Sequence, residues 1–174
     1  MIEVSQDGLL WVVTLNRPDK ANALTRPMLE AISAAVQSAQ TAGARALILT
    51  GQGAVFSAGA DLDAARAGLA VDPIWEEVSA AVANFPGLTI AALNGSLAGG
   101  AMGMALACDL RLCVPEAKIF YPVMRLGYLP QPSDPARLVA LVGPARAKMI
   151  PAGRCQGRRP RGAGLGPDRP YPAA

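Results

Sequence analysis

Two short glycine-containing segments are the first candidates for chemistry in this 174-residue sequence. They are Ser57–Asp61 ("SAGAD") and Ala98–Ala101 ("AGGA"), and each follows a predicted strand and precedes a predicted helix. Unpaired backbone N–H groups at the start of a helix, reinforced by the helix dipole, bind anions. If the two segments converge, they offer paired donors to an oxyanion, such as that of a thioester enolate. Glycines that only permit tight turns and close packing are the alternative interpretation.

Other kinds of chemistry find little support in the composition. The sequence has no histidine, and its three cysteines, Cys108, Cys113 and Cys155, have neither a metal-binding spacing nor a disulfide pattern. Ser-His-Asp and Cys-His nucleophilic sites are therefore excluded. The stretch "GQGAVFSAG" lacks the Gly-Lys-Ser/Thr ending of a phosphate loop, and "AGGAMG" lacks the dinucleotide-binding pattern. We expect no metal and no separate cofactor.

The elements that must position these segments follow an α/β order. Strands are predicted at Ile2–Ser5 and Leu9–Leu15, with a tight turn at "QDG" between them. Apolar residues at helical spacing follow Thr25, a candidate N-cap, and continue to Gly43. The apolar run Ala46–Thr50 is typical of a strand buried on both faces. This strand–helix–strand order predicts an α/β fold.

The second half of the chain also contains both predicted strands and predicted helices. The predicted strands are Thr89–Gly95, Leu110–Val114 and Lys118–Pro122, and the predicted helices are Pro73–Asn84, one beginning near Gly99, Asp134–Val142 with Asp134 as N-cap, and Pro144–Ile150. Glu30, Glu76 and Glu77 lie in helical stretches and are interpreted as solvated surface charges.

Length and composition predict one folded domain. Hydrophobic residues make up 52% of the chain and charged residues 17%, which indicates a globular protein with a sizeable core. We find no uncharged apolar run of eighteen residues and no basic, signal-like start in "MIEVSQDGLLWVV". The sequence therefore predicts a cytoplasmic protein without membrane contact.

Four stretches together resemble the crotonase (enoyl-CoA hydratase/isomerase) superfamily over about Val4–Ile150. They are "LNRPDKANAL", "ALILTGQGAVFSAGADL", "TIAALNGSLAGGAMGMALACDLRLC" and "LGYLPQPSDPARLVALVG". The resemblance implies a spiral of ββα units (the ClpP/crotonase fold) with two near-perpendicular sheets, assembled as a trimer or a hexamer. It also implies an acyl-CoA substrate, so that coenzyme A enters as part of the substrate.

The resemblance assigns roles to individual residues. The amides of Ala60 and Gly100 correspond to the oxyanion hole that stabilises the enolate. The CoA-contacting residues correspond to Lys20, Ala21, Ala23, Leu24, Ala58, Ala60, Asp61 and Leu62. Asp61 is also the residue type expected to cap the helix that starts there, and we favour that structural role.

Both catalytic glutamates of the family's hydratases are replaced in this sequence. Aligned to the family pattern, the first falls on Gly103 and the second on Val123, and neither side chain can carry a proton. Hydration and isomerisation are thus unsupported by these positions. Asp134 is the substitute acid or base that we consider, with Tyr121 and Tyr128 as nearby phenols, although a helix cap is the favoured role for Asp134.

The segment 151–174 differs from the rest of the chain. It holds five of the 16 Lys and Arg residues but one of the 13 acids, and 19 of its 24 residues are Arg, Gly, Pro or Ala. We interpret residues 1–150 as the acyl-CoA-binding core and 151–174 as a disordered basic tail that replaces the family's C-terminal helices. A shift of one nucleotide lets codons of Arg161–Arg169 encode Glu-Ala-Leu-Ala-Trp-Gly-Leu-Ile-Asp, a family-like helix end. The coding DNA tests this frameshift hypothesis.

Three functions therefore stay open at this stage. The favoured one is an acyl-CoA enzyme domain of the crotonase type. A catalytically inactive, truncated homologue is the second. An RNA-binding protein that uses the basic tail is the third, and we consider nucleic acid the less favoured partner.

Overall fold

Pairs of strands alternate with helices throughout the described residues, 1–121 and 123–152, of a computed structural model. The strands are β1 Ile2–Asp7, β2 Leu10–Leu15, β3 Ala46–Gly51, β4 Val55–Ser57, β5 Leu88–Leu93, β6 Ser96–Ala98, β7 Leu110–Cys113 and β8 Ile119–Phe120. The helices are α1 Arg26–Thr41, α2 Leu62–Arg66, α3 Ile74–Ala83, α4 Met102–Ala107 and α5 Asp134–Met149. Short 3₁₀ turns lie at Pro18–Lys20, Leu69–Val71, Gly99–Ala101 and Val123–Leu126. The element order is the predicted succession of ββα units.

The strands divide between two sheets. The larger sheet has the order β1-β2-β3-β5-β7 and the smaller one the order β4-β6-β8. Among the described strands, β1 and β2 pair antiparallel and the other pairings are parallel. In each later strand pair the first strand joins the larger sheet and the second joins the smaller one. All three carboxyl ends of the smaller sheet therefore point the same way.

Helices α1, α3 and α4 pack in succession and enclose the core with the larger sheet. The apolar positions of α1 recur every three or four residues, so one face of the helix is buried. Strand β3 is hydrogen-bonded to β2 and β5, and its alternate side chains are buried. The largest fully buried side chains include Leu15, Leu29, Leu47, Phe56, Leu97 and Tyr121.

Most of the predicted elements are confirmed, with small shifts of their ends. The hairpin turn lies at Gly8–Leu9, one residue beyond the predicted "QDG" centre, because Gly8 supplies the positive φ of 56°. The two predicted C-terminal helices form one run, α5, that bends at Gly143, where φ is 77°. Pro144 explains the bend, because proline lacks an N–H group and excludes the helical conformation from the preceding residue.

The predicted N-cap role of Asp134 is wrong. Helix α5 begins at Asp134 itself, and Ser133 is the capping position. The carboxyl group of Asp134 is buried and bonds with the hydroxyl of Tyr121 instead of the backbone at the helix start. A long-range partner has displaced the local one that the sequence suggested.

Two sequence-based predictions extend past the residues whose structure is described. Cys155 and almost all of the basic segment lie outside the described residues. The prediction of a disordered tail and the frameshift hypothesis concern this same part of the chain. Within the described part of the chain, no helix is long and apolar enough to cross a membrane. In the same part, no group of three or more acidic or cysteine side chains is placed to hold a metal ion.

Candidate active site

The carboxyl ends of β4, β6 and β8 build the candidate site. Ser57 of β4 lies opposite Leu97, and Ala98 of β6 lies opposite Phe120 of β8. The next residues along the three strands are Ala58, Gly99 and Tyr121, so three loops leave the sheet side by side. Ligands of parallel sheets bind at this end because the connecting loops meet there.

Hydrogen bonds hold the loop after β4 in place. The N–H of Ala58 donates to Ala21 O (2.9 Å), Leu24 N–H donates to Gly59 O (2.7 Å), and Asp61 N–H donates to Leu24 O (2.8 Å). The buried hydroxyl of Ser57 accepts from Gly59 N (3.1 Å). Among the described residues, the N–H group of Ala60 donates no backbone hydrogen bond. The loop therefore presents one backbone donor that its own structure does not use.

The two glycine segments converge, which is the condition for paired backbone donors. Gly59 has φ of 91°, and a Cβ atom placed on it would lie 2.8 Å from Ala98 O and 3.3 Å from Gly100 N. Only glycine permits so close an approach of two backbones at a positive φ. The amide of Gly100 thus lies beside the loop that carries Ala60.

A cavity of about 380 Å³ opens in front of these two loops. Its wall is largely apolar and includes Leu62, Ala65, Trp75, Val123, Leu126 and Leu129. Gly100 packs so closely on the indole of Trp75 that a Cβ atom there would lie 3.1 Å from the ring. The polar residues of the wall are Tyr121, Tyr128, Gln131 and Arg66. This arrangement suits an apolar group that carries one anionic oxygen.

A second cavity, of about 390 Å³, adjoins the first and shares Ala58, Ala60, Leu62 and Arg66 with it. Lys20, Ala23 and Asp61 complete its wall together with Asp63. Six of the eight residues assigned to CoA contact by resemblance therefore line one cavity. The other two, Ala21 and Leu24, hold the loop after β4 in place through the backbone hydrogen bonds described above.

Asp61 has the capping role that its position predicts. Its carboxylate accepts from the N–H groups of Asp63 (3.1 Å) and Ala64 (3.3 Å) and pairs with Arg17 at 2.8 Å. The hydrogen bond from Arg17, followed by those from the backbone, lowers the pKa of Asp61 below its usual value. Asp61 is thus an anchored anion at the edge of the site.

Asn22 supports the site but was missed by sequence reasoning. It is buried, has φ of 52°, and its amide donates to Gln52 O (2.9 Å) and Val55 O (2.7 Å). Its backbone oxygen accepts from Ser57 Oγ (2.8 Å). Asparagine tolerates a positive φ and bonds to nearby backbone, which was the available signal.

The space next to Gly103 is already occupied. A Cβ atom on Gly103 would lie 2.7 Å from Gln131 Oε1 and 3.2 Å from Asp134 Oδ1. Gln131 in turn donates from Nε2 to Gly100 O (3.2 Å). A carboxamide from the loop before α5 thus lies where a side chain on α4 would project, and Val123 lines the main cavity as an aliphatic wall.

Asp134 and Tyr121 form a buried pair behind the cavity. Asp134 is 0% exposed and Tyr121 is 1% exposed. The Tyr121 hydroxyl donates to Asp134 Oδ2 and accepts from Gln131 N (3.3 Å). Burial raises the pKa of Asp134 to about 6, and burial together with the adjacent carboxylate raises the pKa of Tyr121. Asp134 Oδ1 has no hydrogen-bond partner among the described residues.

Glu76 is not the solvated surface charge that its helical position suggested. Its carboxylate accepts from the backbone N–H of Ser133 (3.2 Å) and from the hydroxyl of the same residue. It therefore fixes the start of α5 to α3. The signal was absent from the sequence, because 57 residues separate the two partners.

Comparisons with known proteins place these features in a family context. A sequence model of the enoyl-CoA hydratase/isomerase family matches residues 6–155. The probable enoyl-CoA hydratase echA6 of Mycobacterium bovis is 33% identical over 150 residues, which are 86% of this chain and 62% of that protein.

Solved structures agree with this match. The enoyl-CoA hydratase of Mycobacterium avium subsp. paratuberculosis superposes with a TM-score of 0.81 at 28% identity, over 92% of this chain and 65% of the other. Subunit I of an enoyl-CoA hydratase from Geobacillus kaustophilus gives a TM-score of 0.77 at 33% identity, over 89% and 62%. The chain thus spans somewhat under two thirds of the length of these relatives.

Proposed function

Because this chain belongs to the enoyl-CoA hydratase/isomerase family and has the crotonase fold, we propose that it binds an acyl-CoA thioester and stabilises the enolate of its acyl group. The backbone amides of Ala60 and Gly100 are the proposed oxyanion donors. The family and the fold are those that the sequence motifs predicted.

One observation supports this proposal: the loops after β4 and β6 touch at Gly59, and Ala60 and Gly100 both line one largely apolar cavity. Among the described residues, no backbone acceptor competes with a ligand for the N–H group of Ala60. Donors held rigidly in a water-poor cavity stabilise developing negative charge more strongly than mobile water does.

The two adjoining cavities support a division of the ligand. The apolar cavity beside Trp75 suits the acyl group, and the cavity with Lys20 suits the polar CoA portion. Lys20 offers a cation to the CoA phosphates at its rim. The thioester would then lie where both cavities meet, at Ala58, Ala60 and Leu62.

The residues at positions 103 and 123 argue against hydration as the reaction. Gly103 and Val123 cannot move a proton, and hydration needs an acid and a base near the double bond. We expect crotonyl-CoA hydration to be very slow or absent. A family member that binds acyl-CoA without turning it over is the second candidate function, and the same two positions favour it.

Two further statements remain proposals. They are a trimeric or hexameric assembly, which the resemblance implies, and a cytoplasmic location, which the sequence predicts.

Acetoacetyl-CoA provides the decisive experiment, because its enolate has a near-ultraviolet absorption band that the keto form lacks. We expect the full chain to bind acetoacetyl-CoA in calorimetry and to increase the enolate band. An equimolar mixture of CoA and acetoacetate is the control and should leave the band unchanged. Absence of binding to acetoacetyl-CoA and butyryl-CoA would refute the proposal, and robust hydration of crotonyl-CoA would refute the argument from Gly103 and Val123.

A further inference from the structure

We propose that Tyr121 is the proton-transferring residue of this site and that Asp134 is a positioning residue that exchanges the proton through it. This inference rests on the proposed acyl-CoA function. It assigns proton transfer to the residue that follows the third strand of the smaller sheet, and not to Gly103 or Val123, the two positions where the glutamates are missing.

The position of Tyr121 is the first observation. It follows Phe120 of β8, which is paired with Ala98, the residue that precedes the Gly99–Gly100 turn. The three parallel strands thus deliver Ala60, Gly100 and Tyr121 to the same end of the sheet. The first two offer backbone donors, and the third offers a side chain that can carry a proton.

The contacts of Tyr121 are the second observation. Tyr121 lines the cavity together with Gly100 and Gln131, whereas Asp134 does not. Its hydroxyl donates to Asp134 Oδ2 and accepts from Gln131 N at 3.3 Å. Gln131 also donates to Gly100 O at 3.2 Å. Gln131 therefore links the phenol to the proposed oxyanion turn, and the phenol links the carboxyl group of Asp134 to the cavity wall.

The other ionisable residues of the cavity wall are less suited to the task. Among the described residues they are Tyr128, which is 37% exposed, and Arg66, whose side chain is 77% exposed and paired with Asp63 at 3.0 Å. Neither has a buried carboxylate beside it. Of these three residues, Tyr121 is the one that is buried and hydrogen-bonded to a buried carboxylate, that of Asp134.

The proton in the proposed step passes from the substrate to Asp134 by way of the phenol. The Tyr121 oxygen removes a proton from Cα of the acyl group while the phenolic proton moves to Asp134 Oδ2. The electron pair of the broken C–H bond moves to the thioester oxygen and forms the enolate between the amides of Ala60 and Gly100. Reversal of both transfers returns a proton to Cα. In D₂O the returned proton is a deuteron, because the buried acid exchanges with solvent.

The charges around Asp134 set its protonation. Tyr121 faces it from the end of β8, Glu76 from α3, and Arg137, on its own helix, lies 3.9 Å from Oδ1. Burial raises its pKa and outweighs the opposing effects of Tyr121 and Arg137, so that it is about 6. Asp134 is then ionised at neutral pH but more basic than a solvated aspartate, which suits proton abstraction.

Deuterium exchange at Cα of butyryl-CoA, followed by NMR with the full chain in D₂O, tests the inference. We expect measurable exchange that falls as the pH drops through about 6, because the carboxylate is then protonated. Tyr121→Phe should slow exchange by about 100-fold or more. Asp134→Asn should slow exchange and remove the decline near pH 6. Asp7→Asn removes an exposed carboxylate of β1 that lines neither cavity, and it should remain within about threefold of the unmodified chain.

Calorimetry with butyryl-CoA on each variant separates the possible failures. Binding with wild-type affinity and wild-type exchange in Tyr121→Phe would overturn the inference and leave the proposed function intact. So would a chain that binds butyryl-CoA but exchanges no deuterium, or an unchanged pH profile in Asp134→Asn. A chain that binds neither butyryl-CoA nor acetoacetyl-CoA would refute the proposed function and this inference together. If the Tyr121→Phe variant misfolds, the pH profile of deuterium exchange in Asp134→Asn still tests the inference.

Discussion

Gly59 is the residue at which the two halves of the candidate site meet. Its φ of 91° is accessible mainly to glycine, and the carbonyl oxygen of Ala98 lies within 2.8 Å of where a side chain would begin. An alanine there must strain the backbone and also push the two loops apart. The geometry of both proposed oxyanion donors therefore depends on the absence of one methyl group.

We predict that Gly59→Ala lowers the free energy of unfolding by roughly 3 kcal/mol and weakens acetoacetyl-CoA binding. Urea unfolding and calorimetry measure the two effects. Gly68→Ala is the matched control, because Gly68 has a similar φ of 108° but no atom lies within 4 Å of the place where its Cβ would be. That variant should cost roughly 1 kcal/mol and leave binding unchanged. Equal losses of binding in both variants would contradict the role of the close approach.

Individual site residues differ in how far the sequence could identify them. Glycines at 59, 99 and 100 lie between a predicted strand and a predicted helix, so their loops could be predicted from local order. The contacts of Gln131 with Gly100 and with the space beside Gly103 could not, because they join residues 28 to 31 positions apart. The capping prediction for Asp134 failed for the same reason: a local preference of about 1 kcal/mol competes with a long-range partner that the sequence does not reveal.

Elements position the site through the connection between β3 and β4. The amide of Asn22 donates to Gln52 O and Val55 O, and the amide of Asn94 donates to Gly53 O at 2.7 Å. Asn94 Oδ1 also accepts from Gly51 N at 3.0 Å. Two asparagines thus satisfy the backbone where the chain passes from the larger sheet to the smaller one. The direction in which β4 delivers Ala60 depends on this connection.

We predict that Asn22→Ala destabilises the fold by about 3 kcal/mol, because it removes the two hydrogen bonds that this buried amide donates to Gln52 O and Val55 O and places a less tolerant residue at φ of 52°. Urea unfolding provides the measurement. Asn84→Ala at the exposed end of α3 is the control and should change stability by no more than about 0.5 kcal/mol. A loss in Asn22→Ala as small as that of the control would show that the connection does not depend on this amide.

At the element level, pattern recognition was most reliable for long periodic segments. Helix α1 and strand β3 were predicted within one or two residues because each shows a clear apolar period. The pairing of β4, β6 and β8 into a separate sheet was implied only by the family resemblance. Strands of two or three residues carry too little periodicity to show which neighbours they join.

The molecule as a whole should show a pH dependence of stability that originates at Asp134. Its pKa is about 6 in the folded protein against an ordinary 3.8, so the folded state binds the proton more tightly than the unfolded chain. Stability from this group is fully present below pH 3.8 and is lost as the pH rises through about 6. The lowered pKa values of Asp61, Asp72 and Asp109 act in the opposite direction, but only as the pH falls below their ordinary value of 3.8.

We predict that the free energy of unfolding decreases between about pH 4.5 and pH 7 by at most about 3 kcal/mol. Urea unfolding at the two pH values tests this. The Asp134→Asn variant serves as control and should show little difference between them, since its side chain does not titrate. An unmodified chain that is equally stable at both values would contradict the raised pKa. The cost of ionising this buried group is consistent with a functional use of it.

The sequence by itself determined the family and the two glycine segments, because these depend on residue types at short spacings, and the family resemblance in turn implied the ββα order. Only the tertiary structure decided what surrounds them: the contact of Gly59 with Ala98, the carboxamide of Gln131 beside Gly103, and the burial of Asp134 against Tyr121. These depend on which distant segments share a volume. Desolvation and close packing act in that shared volume, and neither can be inferred from the neighbours of a residue along the chain.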